Sequence, residues 1–267
     1  MIAGSFILSA CATSGSSMLA ASGKSNSISG QLTVFAAASL TEAFTAIGKQ
    51  FEAANPGTNV TFNFAGSQQL AQQIIQGAPA DVFASANQLQ MEAVVQNGLV
   101  DHTSVQPFTN NRLVVITPKN NPAHIQNLND LRRPGLKLVM AAKEVPVGGY
   151  SLQFLDKANR DPSLGPDYKV AVLKNVVSYE ENVRAVLSKV ILGEADAGIV
   201  YSSDISQGNA DKVNELDIPD NLNVIASYHI APAQASGQKE LAKSFIEYVM
   251  SAEGKNTLRK YGFTPTR

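Results

Sequence analysis

"NVTFNFAGSQQLAQQIIQGAPADVFASA", residues 59–86, decides the fold. In its first part Val60, Phe62 and Phe64 alternate with polar residues, the period of a strand. After Gly66 and Ser67, the apolar residues Leu70, Ile74 and Ile75 recur at helical spacing and predict a helix over Gln68–Gln76. "ADVFASA" then reads as a second strand. Strand, helix and strand in close succession predict a βαβ unit, and therefore a parallel pair of strands with a helix packed across them.

The same alternation continues on both sides. Upstream, "QLTVFAA" reads as a strand, and Leu40–Ala53 as a helix with Phe44, Ile47 and Phe51 on one face, ended by Asn55-Pro56-Gly57. Downstream, Met91–Gln96 reads as a helix closed by Gly98. "RLVVITP" and "LKLVMAA" read as strands, and Leu152–Ala158 as a helix. "YKVAVLKNV" leads to a long helix through Val183, Val186, Leu187, Val190 and Ile191, terminated by Gly193, and "DAGIVY" reads as a buried strand. "VIASYHIA" and two helices, Leu241–Met250 and Glu253–Lys260, complete the chain. No segment repeats at solenoid period. The pattern predicts an α/β fold with mainly parallel sheets, and two such sheets account for 267 residues.

The composition is that of a globular protein: 44% hydrophobic, 16% charged, formal net charge −1. The near-neutral charge argues against a nucleic-acid-binding surface, which needs clustered Lys and Arg. The longest basic cluster, Arg132-Arg133, reads as a solvated helix end. With the single cysteine, Cys11, there is no intrachain disulfide framework, and no apolar run reaches membrane-spanning length. Met1–Ala10 is apolar and uncharged and ends "LSA" before Cys11, which resembles a bacterial lipoprotein signal without its usual basic residue. Residues 1–11 are therefore expected to hold the signal and a lipidated cysteine. Residues 12–30, rich in Ser and Gly, are expected to form a flexible tether.

Ligands in doubly wound folds sit beyond the carboxyl ends of strands, at helix N-termini. Four such junctions stand out: Ala38-Ser39, "FAGSQQL", "EVPVGGY" and "SYEENVRAVL". Each has a plain structural reading. Ser39–Glu42 and Ser178–Glu181 both fit the capping-box spacing, Ser67 fits an N-cap, and Gly148-Gly149 fits a turn. Together they imply more. Helix N-termini carry unpaired N–H groups and the positive end of the helix dipole, so several of them meeting at one point would bind an anion without Lys or Arg. The small residues at each mouth would let an oxyanion reach the backbone.

Four stretches carry a family resemblance: "FAAASL", residues 64–86 of the opening quotation, "VPVGGY", and "ENVRAVLSKVILGEADAGIVYSSD". From Leu32 to Phe263 the chain resembles the periplasmic molybdate-binding proteins of ABC transporters. The resemblance implies a two-lobed type II periplasmic-binding fold joined by crossing strands. Residues 31–112 and 229–267 would form one lobe and residues 113–228 the other. It also implies a molybdate or tungstate ion in the cleft, held by the hydroxyls and N–H groups of Ser39 and Ser67, the amides of Val147 and Val183, and the hydroxyl of Tyr201. Val147 stands where the family commonly has alanine, a change that leaves an amide donor in place. For the Val183 N–H to be free, the long helix must start near Glu181 or Asn182 rather than at Ser178. The implied protein is a monomeric, extracytoplasmic, membrane-anchored lipoprotein that needs no cofactor and delivers its anion to an ABC permease and its ATPase. The same fold binding sulfate or another tetrahedral oxyanion is the nearest alternative.

Catalysis has little support. A nucleophilic serine needs a base within reach. No G-x-S-x-G occurs, the one S-x-x-K (Ser236 to Lys239) reads as a helix cap, and His102, His124 and His229 lie far apart. There is no Trp to line a sugar site.

Overall fold

The computed structural model describes residues 1–2, 29–205 and 208–266. Cys11 and almost all of the expected signal and tether lie outside the described residues. The first elements are β1 (Gly30–Ala37), α1 (Thr41–Ala54), β2 (Thr58–Ala65), α2 (Ser67–Ile75), β3 (Val82–Ser85) and α3 (Gln88–Gln96). β1 runs parallel to both β2 and β3, so the two strands of the opening stretch are parallel as expected but are separated by β1 rather than paired with each other. It is apolar on both faces because helices cover both: Leu32, Val34 and Ala36 are fully buried and Phe35 nearly so. α1 buries Ala43, Phe44, Ile47 and Phe51. It lies so close to β2 that a Cβ at Gly48 would stand 2.7 Å from the Phe62 ring.

The chain then crosses. β4 (Gln106–Pro118) is one long strand serving two sheets. The later elements are β5 (Leu138–Ala141), α4 (Pro146–Ala158), α5 (Tyr168–Lys174), β6 (Val176–Glu180), α6 (Val183–Ile191), β7 (Ala197–Tyr201), the short α7 (Ser202–Ile205), β8 (Val213–Asp217), β9 (Ile225–Pro232), α8 (Lys239–Met250), α9 (Ala252–Lys260) and β10 (Thr264–Pro265). From Gln106 to Arg112, β4 pairs with β9, which pairs with β3 and so completes the sheet around β1. From Leu113 to Pro118, β4 pairs instead with β7 and β8. β7 and β6 both run parallel to β5. Each half thus has a parallel centre, and the crossing strands are antiparallel.

Several elements depart from the sequence expectations: α3 starts at Gln88 rather than Met91, and β8 and β10 have no counterpart among the expected strands. The strand at "RLVVITP" begins earlier, at Gln106. The helix expected from Leu152 starts at Pro146, whose fixed φ and missing N–H suit the first helical turn. "YKVAVLKNV" does not lead straight into the long helix. It forms α5, and β6 intervenes, because Tyr168 and Val172 bury one face of a helical turn. Gly193 ends α6 as expected, at φ +73, a conformation that glycine adopts without strain. Among the described residues no helix is long and apolar enough to cross a membrane.

Candidate anion-binding site

Ser39 follows β1 in a short 3-10 turn, Ala38–Leu40, and is 4% exposed. The expected capping box with Glu42 does not form. Thr41 Oγ1 donates to Ala38 O at 2.7 Å, and Glu42 is drawn into an ion pair with Arg184. The Ser39 hydroxyl instead meets the Tyr228 hydroxyl at 2.8 Å.

Ser67 is the first residue of α2 rather than its cap. Gly66 takes the cap position, and the Gln69 side chain reaches back to accept its N–H. Ser67 Oγ accepts the Ala86 N–H at 3.0 Å. The hydroxyl proton is thereby left to point elsewhere, and the Ser67 N–H, at the first helical position, has no carbonyl of its own helix to bond.

The opposite wall supplies helix starts. Asn182 caps α6 by accepting the Ala185 N–H at 3.0 Å, so Val183 is the first helical residue and its N–H is one of the free ones. The Ser178 capping box is not formed. Ser178 lies in β6, where its hydroxyl bonds the Glu180 carboxylate and receives Lys189 Nζ at 2.9 Å. Val147 follows Pro146 at the start of α4. The first amide to bond back there is that of Gly149, to Val145 O at 3.0 Å, which leaves the Val147 N–H free of the helix. This turn is pressed against the end of β5: a Cβ at Gly148 would stand 2.0 Å from Ala142 O.

Tyr201 ends β7 and is 1% exposed. Its hydroxyl is buried with no hydrogen-bond partner among the described residues. Burial, with Tyr228 nearby, pushes its phenol well above the ordinary range, so it stays protonated.

Ser39, Ser67, Val147, Val183 and Tyr201 all line one cavity. Its other walls are Ala37, Ala38, Ala65, Gly66, Ala86, Val145, Pro146 and Asn182. No charged side chain is among them. The small residues let ligand atoms approach the backbone, and two helix starts from one half face one from the other. Chemically this is a pocket of neutral N–H and O–H donors, suited to a compact, fully deprotonated anion.

Contacts across the cleft join its two walls. Gln68 Nε2 donates to Glu181 O at 2.8 Å, and Gln69 Nε2 to the Glu181 carboxylate at 3.0 Å. Arg184 pairs with Glu42, donates to Ala38 O at 3.3 Å and lies 3.6 Å from the fully buried Asp204. Burial pushes the Asp204 carboxyl up to about 6, against the opposing pull of Arg184 and the Tyr201 N–H. Tyr228, Asn111, Arg184 and Asp204 had not been singled out from the sequence. Tyr228 shows there only as one position of an alternating strand, and Asn111 as a polar residue at a strand's edge. Neither carries a local motif. No group of His, Cys, Asp and Glu that could hold a metal ion occurs among the described residues.

A bilobed α/β fold with a donor-lined pocket between its halves defines a solute-binding protein. Residues 32–264 match the family described as bacterial extracellular solute-binding protein, and the chain belongs to it. It is 42% identical over 232 residues to the molybdate-binding protein ModA of Mycobacterium tuberculosis, covering 87% of this chain and 84% of that one. The ModA of Escherichia coli is 34% identical over 244 residues, covering 88% and 89%. Among solved structures, the substrate-binding domain of a putative molybdenum ABC transporter from Clostridium difficile matches at 29% identity. Its TM-score is 0.66, over 89% of this chain and 99% of that one. The sulfate-binding protein SubI of M. tuberculosis superposes with TM-score 0.78 at 18% identity, covering 88% and 87%, which shows the shared fold alone.

Proposed function

We propose that this protein captures molybdate, and tungstate with it, in the cleft and delivers the anion to an ABC importer. The carrying observation is the convergence of Ser39, Ser67, Val147, Val183 and Tyr201 on one small cavity with no charged side chain in its walls. The two serine hydroxyls, the Tyr201 hydroxyl and the free amides of the helix starts surround the dianion. A hydrogen bond to a charged group contributes roughly 1.5–3 kcal/mol, so several of them outweigh desolvation and closure. The lobes, residues 31–112 with 229–267 and residues 113–228, close around the ion by bending at the crossing strands. The division of β4 between two sheets at Arg112 and Leu113 supports the first boundary, whereas β9 joins the sheet around β1 from Ile225 onward, which puts the return crossing ahead of Ile225 rather than at residue 228.

Selectivity follows from the donors. A protonated oxyanion brings an O–H that finds no acceptor. Sulfate is unprotonated too and is rejected only by size, so a sulfate-binding cleft is the second reading. The protein acts by binding rather than by catalysis and needs no cofactor. Its partners are the anion, the permease and its ATPase. It works as a monomer outside the cytoplasm, tethered through a lipid on Cys11 and contacting the membrane only there.

Calorimetric titration with molybdate, tungstate, sulfate and phosphate at fixed pH and salt tests this. One-to-one binding of the first two, with little heat from the others, is expected. Equal binding of sulfate would overturn the cargo, and no heat from any would overturn the reading of the cleft.

A further inference from the structure

Tyr228 is fully buried on β9, in edge contact with Phe108, Phe263 and Tyr201. A phenylalanine would make the same ring contacts. Core packing therefore leaves its hydroxyl unexplained. That hydroxyl lies 2.8 Å from Ser39 Oγ, and distance alone lets either group donate.

Asn111 breaks the tie. Its Oδ1 lies 3.0 Å from the Arg112 N–H and 3.1 Å from Ser202 Oγ. A backbone N–H only donates, so the amide oxygen is fixed on that side and Nδ2 faces the other way. Nδ2 donates to Ser203 Oγ at 2.8 Å and, at a longer 3.4 Å, to the Tyr228 oxygen. Tyr228 therefore meets a donor on one side. The Tyr201 hydroxyl also stands near but makes no bond at hydrogen-bond distance, so among the described residues the acceptor that the Tyr228 proton reaches is Ser39 Oγ, at 2.8 Å. Burial holds the Tyr228 phenol far above its ordinary range, so that proton is always present. Once Ser39 Oγ has accepted it, the Ser39 proton is left to point into the cavity.

We propose that Asn111 and Tyr228 form a directional relay that holds Ser39 as a proton donor to the bound anion, making Tyr228 a specificity-determining positioning residue. The inference rests on the reading of the cleft as an oxyanion site and deepens it. Ser67 reaches the same state by a simpler route, since its oxygen accepts the Ala86 N–H, a donor that cannot reverse. Both serines are thus backed by a donor and offer a proton forward. A singly protonated oxyanion can be accommodated only if one serine turns its proton into the wall, where it goes unsatisfied.

The test is a double-mutant cycle on the full chain, read by calorimetric titration with sodium molybdate: wild type, Tyr228→Phe, Ser39→Ala and both together. Tyr228→Phe is expected to weaken binding about tenfold in the wild type and less than about twofold once Ser39 is alanine. A second readout is the ratio of phosphate to molybdate affinity at pH 6, where phosphate carries protons. It should rise in Tyr228→Phe, because Ser39 is then free to accept, whereas a merely structural role would leave it unmoved. Equal losses in both backgrounds, or an unchanged ratio, overturn the relay while the cleft assignment stands. A wild-type chain that takes none of the four oxyanions overturns the cleft reading and the relay with it.

Discussion

The two walls of the cleft offer donors of different kinds. The wall built on β1 and α2 presents serine hydroxyls, each with its oxygen held from behind, Ser39 by Tyr228 and Ser67 by the Ala86 N–H. The wall built on α4 and α6 presents the amides of Val147 and Val183, whose side chains are buried away in the core. A hydroxyl donor depends on which residue is present and on what supports it. An amide donor depends only on where a helix begins, which Pro146 and Asn182 set. One wall should be sensitive to identity, the other to backbone position.

The largest expected effect comes from forcing the walls apart. A Cβ at Gly66 would stand 2.6 Å from Glu181 O on the opposite wall. Gly66→Ala should weaken molybdate binding roughly a hundredfold, about 2–3 kcal/mol. Unchanged affinity would mean that the walls need not meet.

Ser67→Ala tests the hydroxyl wall directly. It removes a donor to the anion and leaves the buried Ala86 N–H without its partner, so affinity should fall roughly thirtyfold, about 2 kcal/mol. Calorimetry that finds less than a threefold loss would remove Ser67 from the site.

Asp204 adds a titration behind the same pocket. Its carboxyl ionises near 3.8 when unfolded and near 6 when folded. Between those values the folded chain holds the extra proton, so stability is highest below the lower value and falls as pH rises through the window. Melting temperatures from pH 4 to 7 should show this slope, worth on the order of 2–3 kcal/mol, and Asp204→Asn should flatten it. A slope unchanged by the substitution would assign it to other groups. The smallest effect belongs to the amide wall: Val147→Ala keeps its N–H and should change affinity less than about threefold. A large loss would mean that the valine side chain, not the amide, shapes the pocket.

Much of this arrangement was legible in the sequence because it is periodic. Alternation in "NVTFNFA" and the spacing of Leu70, Ile74 and Ile75 identify a βαβ unit, and the structure contains it. The five expected cleft residues came from the family resemblance, and the structure brings them to one cavity. Capping was harder to read. Ser39 and Ser178 satisfy the spacing of a capping box, yet neither caps: the Ser39 hydroxyl meets Tyr228, and Ser178 lies within β6, bonded to Glu180 of the same strand and to Lys189 of α6. A distant partner such as Tyr228 leaves no trace in local spacing. Tyr228 stands 189 positions from Ser39, and nothing in "VIASYHIA" marks it as anything but core.

The route of the chain through β4 has a consequence for the newborn protein. The half that carries Ser39 and Ser67 begins first but is completed last. Its central strand β3 needs β9, as in the pairing of Val82 with Pro232, and the helix that packs Phe245 against Phe44 and Phe51 comes later still. The other half is one uninterrupted stretch whose strands all lie between β4 and β8. It can assemble as soon as it leaves the ribosome, while the serine-bearing half waits with an unfinished edge. A chain cut short before β9 would therefore lose the hydroxyl wall and Tyr228 together, and keep the amide wall.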